Sequence, residues 1–278
     1  MIIKLVVVLG LASILLACAE GQHEDESDAP GSIKSKGGDQ PGAVDALTPE
    51  DIRVPVFNRQ QVPSSERSRM ACARVAPGLV YAMNKQGLAY GSPVFIRIFK
   101  EERELEIWVR AGQQYKLFRT YSIAAMSGGL GPKLREGDRQ APEGFYYVTP
   151  SRMNPNSRFH LSVNLGYPNT YDRHHGRTGS ALMVHGGRAS IGCFAMTDPK
   201  IEEIYALVDA ALRNGQPYFR VHSFPFRMTG ENMQRHAGSE WSAFWANLKQ
   251  GYDYFEADRQ VPNVRLSGGR YVFDEDQG

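Results

Sequence analysis

Between Pro93 and Val109 two alternating apolar runs flank a charged tip, Lys100-Glu101-Glu102-Arg103, and that pattern predicts a β-hairpin. Further strands are expected over residues 115–125 and 144–149, with a short one over 181–184 leading directly into His185. Helical spacing takes over at residues 199–213. There Ile201, Ile204, Tyr205, Val208 and Leu212 line one face, with Asp198 as N-cap, Pro199 at the first helical position and Gly215 past the end. After Ser239, Trp241, Phe244, Trp245 and Leu248 recur at three- and four-residue steps, a stripe read as a core-facing helix in preference to a glycan-stacking surface. Upstream, Ser64-Ser65-Glu66 opens a short helix that Pro77 should end, and a second short helix runs from Pro77 to Lys85. Residues 264–273 close the chain as a hairpin about Ser267-Gly268-Gly269, and no internal repeat is visible.

The N-terminus follows a different rule. Lys4 precedes an apolar run, Leu5 to Ala17, too short for the roughly 18 to 20 residues that span a bilayer, so it reads as a secretory signal. The run ends Leu15-Leu16-Ala17-Cys18, which resembles the bacterial lipobox and implies lipidation of Cys18. Ala19, in the place where aspartate implies inner-membrane retention, points to an outer-membrane anchor. Residues 18–50 are rich in Gly, Ser, Asp, Glu and Pro and are read as a flexible tether. The expected organisation is therefore a signal peptide (1–17), a tether (18–50), an N-terminal helical segment (51–90), a catalytic domain (91–223) and a C-terminal extension packed on it (224–278). The predicted place of work is the periplasm.

Composition adds two constraints. With 42% hydrophobic and 22% charged residues in 278, the chain is globular and carries no multi-span membrane architecture. Its net charge of +2 is unevenly spread: the tether holds eight acidic side chains against two lysines, which leaves residues 51–278 at +7. That sign favours anionic partners. Nucleic acid is disfavoured, because basic residues and aromatics do not interleave and no zinc-finger spacing occurs. In an oxidising compartment Cys72 and Cys193 either pair with each other or stay as thiols.

The chemistry concentrates in Val184-His185-Gly186-Gly187-Arg188-Ala189-Ser190-Ile191-Gly192-Cys193-Phe194-Ala195-Met196. A thiol lies eight residues after an imidazole, with glycines between, at the end of a predicted strand. A histidine in reach of a cysteine takes its proton or holds it as thiolate. Gly192 permits close backbone approach to a substrate, and the N–H of Cys193 is a candidate oxyanion donor. Ser190 either orients the histidine or caps the turn.

His185-Gly186 followed by Ser190-Ile191-Gly192-Cys193 resembles the signature of the YkuD-type L,D-transpeptidase catalytic domain. Ser127-Gly128-Gly129-Leu130-Gly131-Pro132-Lys133, the run from Gly137 to Phe145, Pro225-Phe226-Arg227-Met228 and Gly251-Tyr252-Asp253-Tyr254 are similar to its YafK-like branch. The resemblance implies an α+β, β-rich catalytic domain with flanking helices and a C-terminal helix and hairpin. It further implies a cysteine acyltransferase or amidase that acts on peptidoglycan stem peptides, with Cys193 as nucleophile, His185 as general base, and Gly186, Ser190 and Gly192 shaping the site. The acyl-enzyme formed at the L-centre of diaminopimelate is then resolved by an amine or by water, the latter releasing a wall-linked lipoprotein or peptide; no cofactor and no metal are implied.

Two positions depart from the family's common signature. Ile191 stands where a second histidine is usual, and Ala195 where an arginine is, and that arginine would clamp a substrate carboxylate. Arg139, Arg173 and Arg177 are the substitute candidates for binding substrate. His174-His175 lacks carboxylates or thiols at ligand spacing, and the glycines at 128–131 lack the ending of a phosphate loop. Asp138 and Glu143 form a weak rival as a glycosidase pair. Two further rivals are a non-catalytic peptidoglycan-binding lipoprotein with Cys72 and Cys193 joined, and a cysteine peptidase acting on protein.

Overall fold

The computed structural model describes residues 61–274, so the expected signal peptide, Cys18 and the tether lie outside the described residues. In chain order the elements are α1 (Glu66–Asn84), β1 (Val94–Phe99), β2 (Glu104–Ala111), β3 (Gln114–Ser122), β4 (Gly144–Val148), β5 (Met153–Asn154) and β6 (Ser162–Asn164). They continue with α2 (Thr170–His174), β7 (Met183–His185), β8 (Phe194–Ala195), α3 (Asp198–Arg213) and β9 (Phe219–Phe224). The last are α4 (Gly230–Arg235), α5 (Ser242–Asp258), β10 (Asn263–Ser267) and β11 (Arg270–Asp274). The class is mixed and rich in sheet, as expected.

A five-stranded sheet runs β3-β2-β1-β9-β4, a four-stranded one runs β5-β6-β7-β8, and β10 and β11 pair as a hairpin. Every residue of β1 is buried, and its alternation explains how. Val94, Ile96 and Ile98 enter the main core shared with α1 and α3. Phe95 and Phe99 face the other way, into aromatic layers that contain Trp245, Tyr252 and Phe255 of α5. Both faces of the sheet are therefore covered. Arg97 lies in that second layer, with Tyr252 and Phe255 rings at 4.4 and 5.0 Å, and donates to Glu256 at 2.6 Å.

Three expectations need correction. Pro77 does not end a helix: α1 runs through it as one helix of 19 residues, opened by a capping box between Ser65 and Ser68. Ala73, whose carbonyl loses its partner at a proline four residues on, and Pro77 itself are both exposed, so the interruption lies on the solvent side of the helix. The residue before α3 is Thr197, with Asp198 already helical; the Asp198 carboxylate instead accepts from Gly187 N–H at 2.8 Å. The strand before the histidine is shifted and includes it. The inner strand β9 carries Arg220 and His222, which mask its alternation in the sequence. The stripe of α5 is core, with Trp245 and Leu248 buried.

Candidate active site

His185 ends β7 at the middle of the smaller sheet. Its ladder partners are Ser162 on β6 and Ala195 on parallel β8. Cys193 immediately precedes β8, so the register brings its turn alongside the strand that ends in His185. The Cys193 thiol is buried at the sheet edge and donates to the Ala181 carbonyl at 3.6 Å, one residue before β7's approach through Leu182.

The imidazole is buried, and its Nδ1–H donates to the Gly186 carbonyl at 2.5 Å. A neutral ring whose Nδ1 carries the proton keeps Nε2 as its basic atom. Burial pushes the His185 pKa below the ordinary value, against a smaller upward pull from the Gly186 carbonyl. The ring is therefore neutral at neutral pH, the form able to accept a proton. One of its faces is covered by Phe159, ring centroids 4.6 Å apart and 31° from parallel.

Gly186 is required by crowding, and Gly187 by its backbone, at φ +71. Gly186 N–H is shared by the carbonyls of Phe159 and Leu161, at 3.0 and 3.1 Å. A Cβ at Gly186 would lie 2.5 Å from the Asp198 carboxylate and 2.7 Å from the Phe159 carbonyl. Beyond β8 the chain leaves through Thr197 at φ +78, a conformation that costs a β-branched residue about 1–3 kcal/mol. Its N–H bonds the Gly187 carbonyl at 2.9 Å, locking the exit of the cysteine strand to the segment after the histidine.

Ser190 organises the Cys193 turn: its hydroxyl donates to the Cys193 carbonyl at 2.6 Å and accepts from Gly192 N–H at 3.2 Å. Of the two roles open to it in the sequence, the structure has the turn cap. Gly192 adopts φ +131, and its missing side chain leaves room for the Gln140 carbonyl, 3.3 Å from where a Cβ would stand. Gln140 belongs to the glycine-rich loop, which its side chain pins by bonding Gly129 N–H and the carbonyls of Gly129 and Gly131. That loop hangs from a buried pair, Lys100 and Glu143 at 2.9 Å, with Gly131 N–H and Trp245 Nε1 also donating to Glu143.

The remaining candidates fall apart by burial. Arg139 is exposed, at φ +55, beside Gln140 and therefore next to the cysteine turn. Arg173 is exposed on α2 and bonds the Pro168 carbonyl and, at 3.3 Å, the Thr170 hydroxyl. Arg177 is buried: it donates to Asp172 at 2.8 Å and covers the Phe244 ring at 4.8 Å, so it belongs to the core under α2 and not to a binding surface. Asp138 is matched by Lys133 at 2.6 Å; burial opposes ionisation, but backbone N–H groups and Lys133 bring its pKa to about 2. With Glu143 held by Lys100, no glycosidase pair is formed. No disulfide joins Cys72 and Cys193. Among the described residues no cluster of three or more His, Cys, Asp or Glu side chains could hold a metal, and no helix is long and apolar enough to cross a membrane.

The position where the family's arginine is expected, Ala195, is fully buried, and its backbone exchanges bonds with Ala124 and Ala125. Sequence reasoning missed Phe159 and the bond from Asp198 to Gly187. Nothing local marks Phe159; Asp198 was visible but assigned to a cap.

A buried thiol on the turn before β8 and a neutral imidazole at the end of β7 are the candidate pair, and comparison gives the chain a family. Residues 93–222 match the L,D-transpeptidase catalytic domain, YkuD. The chain belongs to that family. It is 53% identical over 182 residues to the protein named "Putative L,D-transpeptidase YafK" in Escherichia coli K12, covering 66% of this chain and 74% of that one; the match to the Escherichia coli O157:H7 protein of the same name has the same extent. Among solved structures, the helical cell shape determining protein Pgp2 of Campylobacter jejuni is similar at 16% identity and a TM-score of 0.39, over 68% of this chain and 80% of that one.

Proposed function

We propose that the protein is a peptidoglycan-modifying cysteine enzyme working in the periplasm, anchored through lipidated Cys18. The observation that supports this chemistry is the register of β7 and β8, in which His185 pairs with Ala195, two residues after Cys193, while the Gly186 carbonyl accepts from Nδ1. His185 Nε2 takes the thiol proton, and the thiolate attacks the carbonyl at the L-centre of a diaminopimelate residue in a stem peptide. Backbone N–H groups at the turn hold the oxyanion. Collapse breaks the amide bond; the leaving amine takes the proton from His185, and a thioester on Cys193 remains. His185 then removes a proton from water or from a second amine, whose attack frees the acyl group and returns the proton to the thiol.

Water gives hydrolytic release of a wall-linked peptide or lipoprotein, and an amine gives the cross-link implied by the relatives' name. Arg139, exposed beside the cysteine turn, is the side chain assigned to the substrate carboxylate in place of the residue missing at 195. The test is incubation of the purified protein with intact sacculi, followed by mass spectrometry of the soluble and muropeptide fractions. Freed protein or peptide means hydrolysis, and a new dimeric muropeptide means transpeptidation. No product of either kind, with Cys193→Ala indistinguishable from wild type, overturns the enzyme reading in favour of a wall-binding role.

A further inference from the structure

We propose that α1, which lies outside the matched catalytic domain, positions the imidazole of His185 through Phe159, making Phe159 a positioning residue of the site. The proposal rests on His185 being the base. Residues 155–160, between β5 and β6, have no ladder of their own to hold them. α1 holds them instead: Ser65 Oγ donates to the Pro155 carbonyl at 2.9 Å, and Arg67 Nη1 donates to the carbonyls of Ser157 and His160 at 2.9 and 3.0 Å. The far end of this segment is held again by α1, through a carboxylate on α3. His160, at φ +69, meets Glu202 at 2.7 Å, and Arg74 of α1 bonds both oxygens of that same carboxylate.

What this brace presents is Phe159. Its carbonyl fixes Gly186 N–H, its ring covers one face of the imidazole, and its edge stands 3.5 Å from where a Cβ of Gly187 would be. The Nδ1–H···O=C bond to Gly186 exists only while the imidazole keeps one plane. A flat ring against one face blocks rotation out of that plane, and with it the loss of Nε2 as the basic atom. The capping box matters here too: Ser65 accepts from Ser68 N–H while donating to Pro155, so the helix start and the loop are one hydrogen-bonded unit.

The test is the pH dependence of iodoacetamide alkylation at Cys193 in the full chain, read by peptide mass spectrometry with Cys72 as internal reference. Burial first, then the nearby Asp209, pushes the Cys72 thiol to about 11, so it reports general accessibility and not activation. Phe159→Leu is expected to slow Cys193 alkylation at pH 7 by about tenfold and move its inflection toward that of an ordinary thiol, against about a hundredfold for His185→Ala. Phe159→Tyr should restore the wild-type profile, and Arg67→Met, on the helix side of the brace, should shift it in the same direction as Phe159→Leu. An unchanged profile in both Phe159→Leu and Arg67→Met overturns the proposal, even where the melting temperature falls. If His185→Ala itself leaves the rate unchanged, the base assignment fails and takes the proposal with it.

Discussion

The two halves of the site are built differently. His185 sits within a ladder, flanked by β6 and β8, with its following glycines bonded to Phe159, Leu161 and Asp198. Cys193 is delivered by a turn whose bonds are largely internal to it, through Ser190, and whose tip, Ile191, is 44% exposed. The proposed base is part of the ladder itself, and the proposed nucleophile, though buried, is carried on a short turn that precedes the edge strand. Changes on the histidine side should therefore damage fold and chemistry together, and changes on the cysteine side chemistry alone.

The largest expected effect is on the cysteine side. Cys193→Ala should abolish turnover on sacculi while leaving stability, by chemical denaturation, within about 1 kcal/mol of wild type. A larger loss would place the nucleophile in the scaffold and erase the contrast. On the other side, Gly186→Ala should cost about 1–3 kcal/mol as the new methyl is forced against Asp198 and Phe159, and turnover should fall in parallel. Full stability in that variant would mean the histidine segment yields as easily as the turn.

A pH profile sharpens the contrast further. The base must be neutral, and burial lowers its pKa, so the neutral form persists to lower pH than for an exposed histidine. The acid limb of kcat/KM should accordingly fall below the ordinary value of 6.5. A limb above 6.5 would show an imidazole stabilised in its charged form. The smallest effect is expected for Ser190→Ala, about 1 kcal/mol or less from the lost turn bonds, with turnover reduced and the alkylation profile unmoved.

Much of this could be read in the chain. The β1–β2 hairpin showed itself because alternation and a charged tip coincide, and the closing hairpin because Gly268 and Gly269 take positive φ where a tight turn needs it. His185, Gly192 and Cys193 were legible through motif chemistry. The basic stretch across the end of α2 was only half legible: Arg173 and Arg177 look alike in sequence, and only the buried Asp172 separates a core cation from a surface one. β9 was hidden because Arg220 and His222 interrupt it. His222 is tolerated there because Phe95 and Phe145 meet its ring edge-on, 4.6 Å away, and burial, reinforced by Arg220 and Arg97, keeps it neutral. Phe159 had no signal, since its relation to His185 exists only once the segment between β5 and β6 is folded against the end of β7.

The covering of the larger sheet on both sides has a practical corollary. Cutting the protein down to residues 93–222, the stretch that kinship marks out, would strip α5 away, bare Phe95, Phe99 and Phe145 to water, and leave Arg97 without Glu256 and Glu143 without Trp245. The stretch that matches the family and the piece that keeps both faces of the larger sheet covered are, in this chain, different objects.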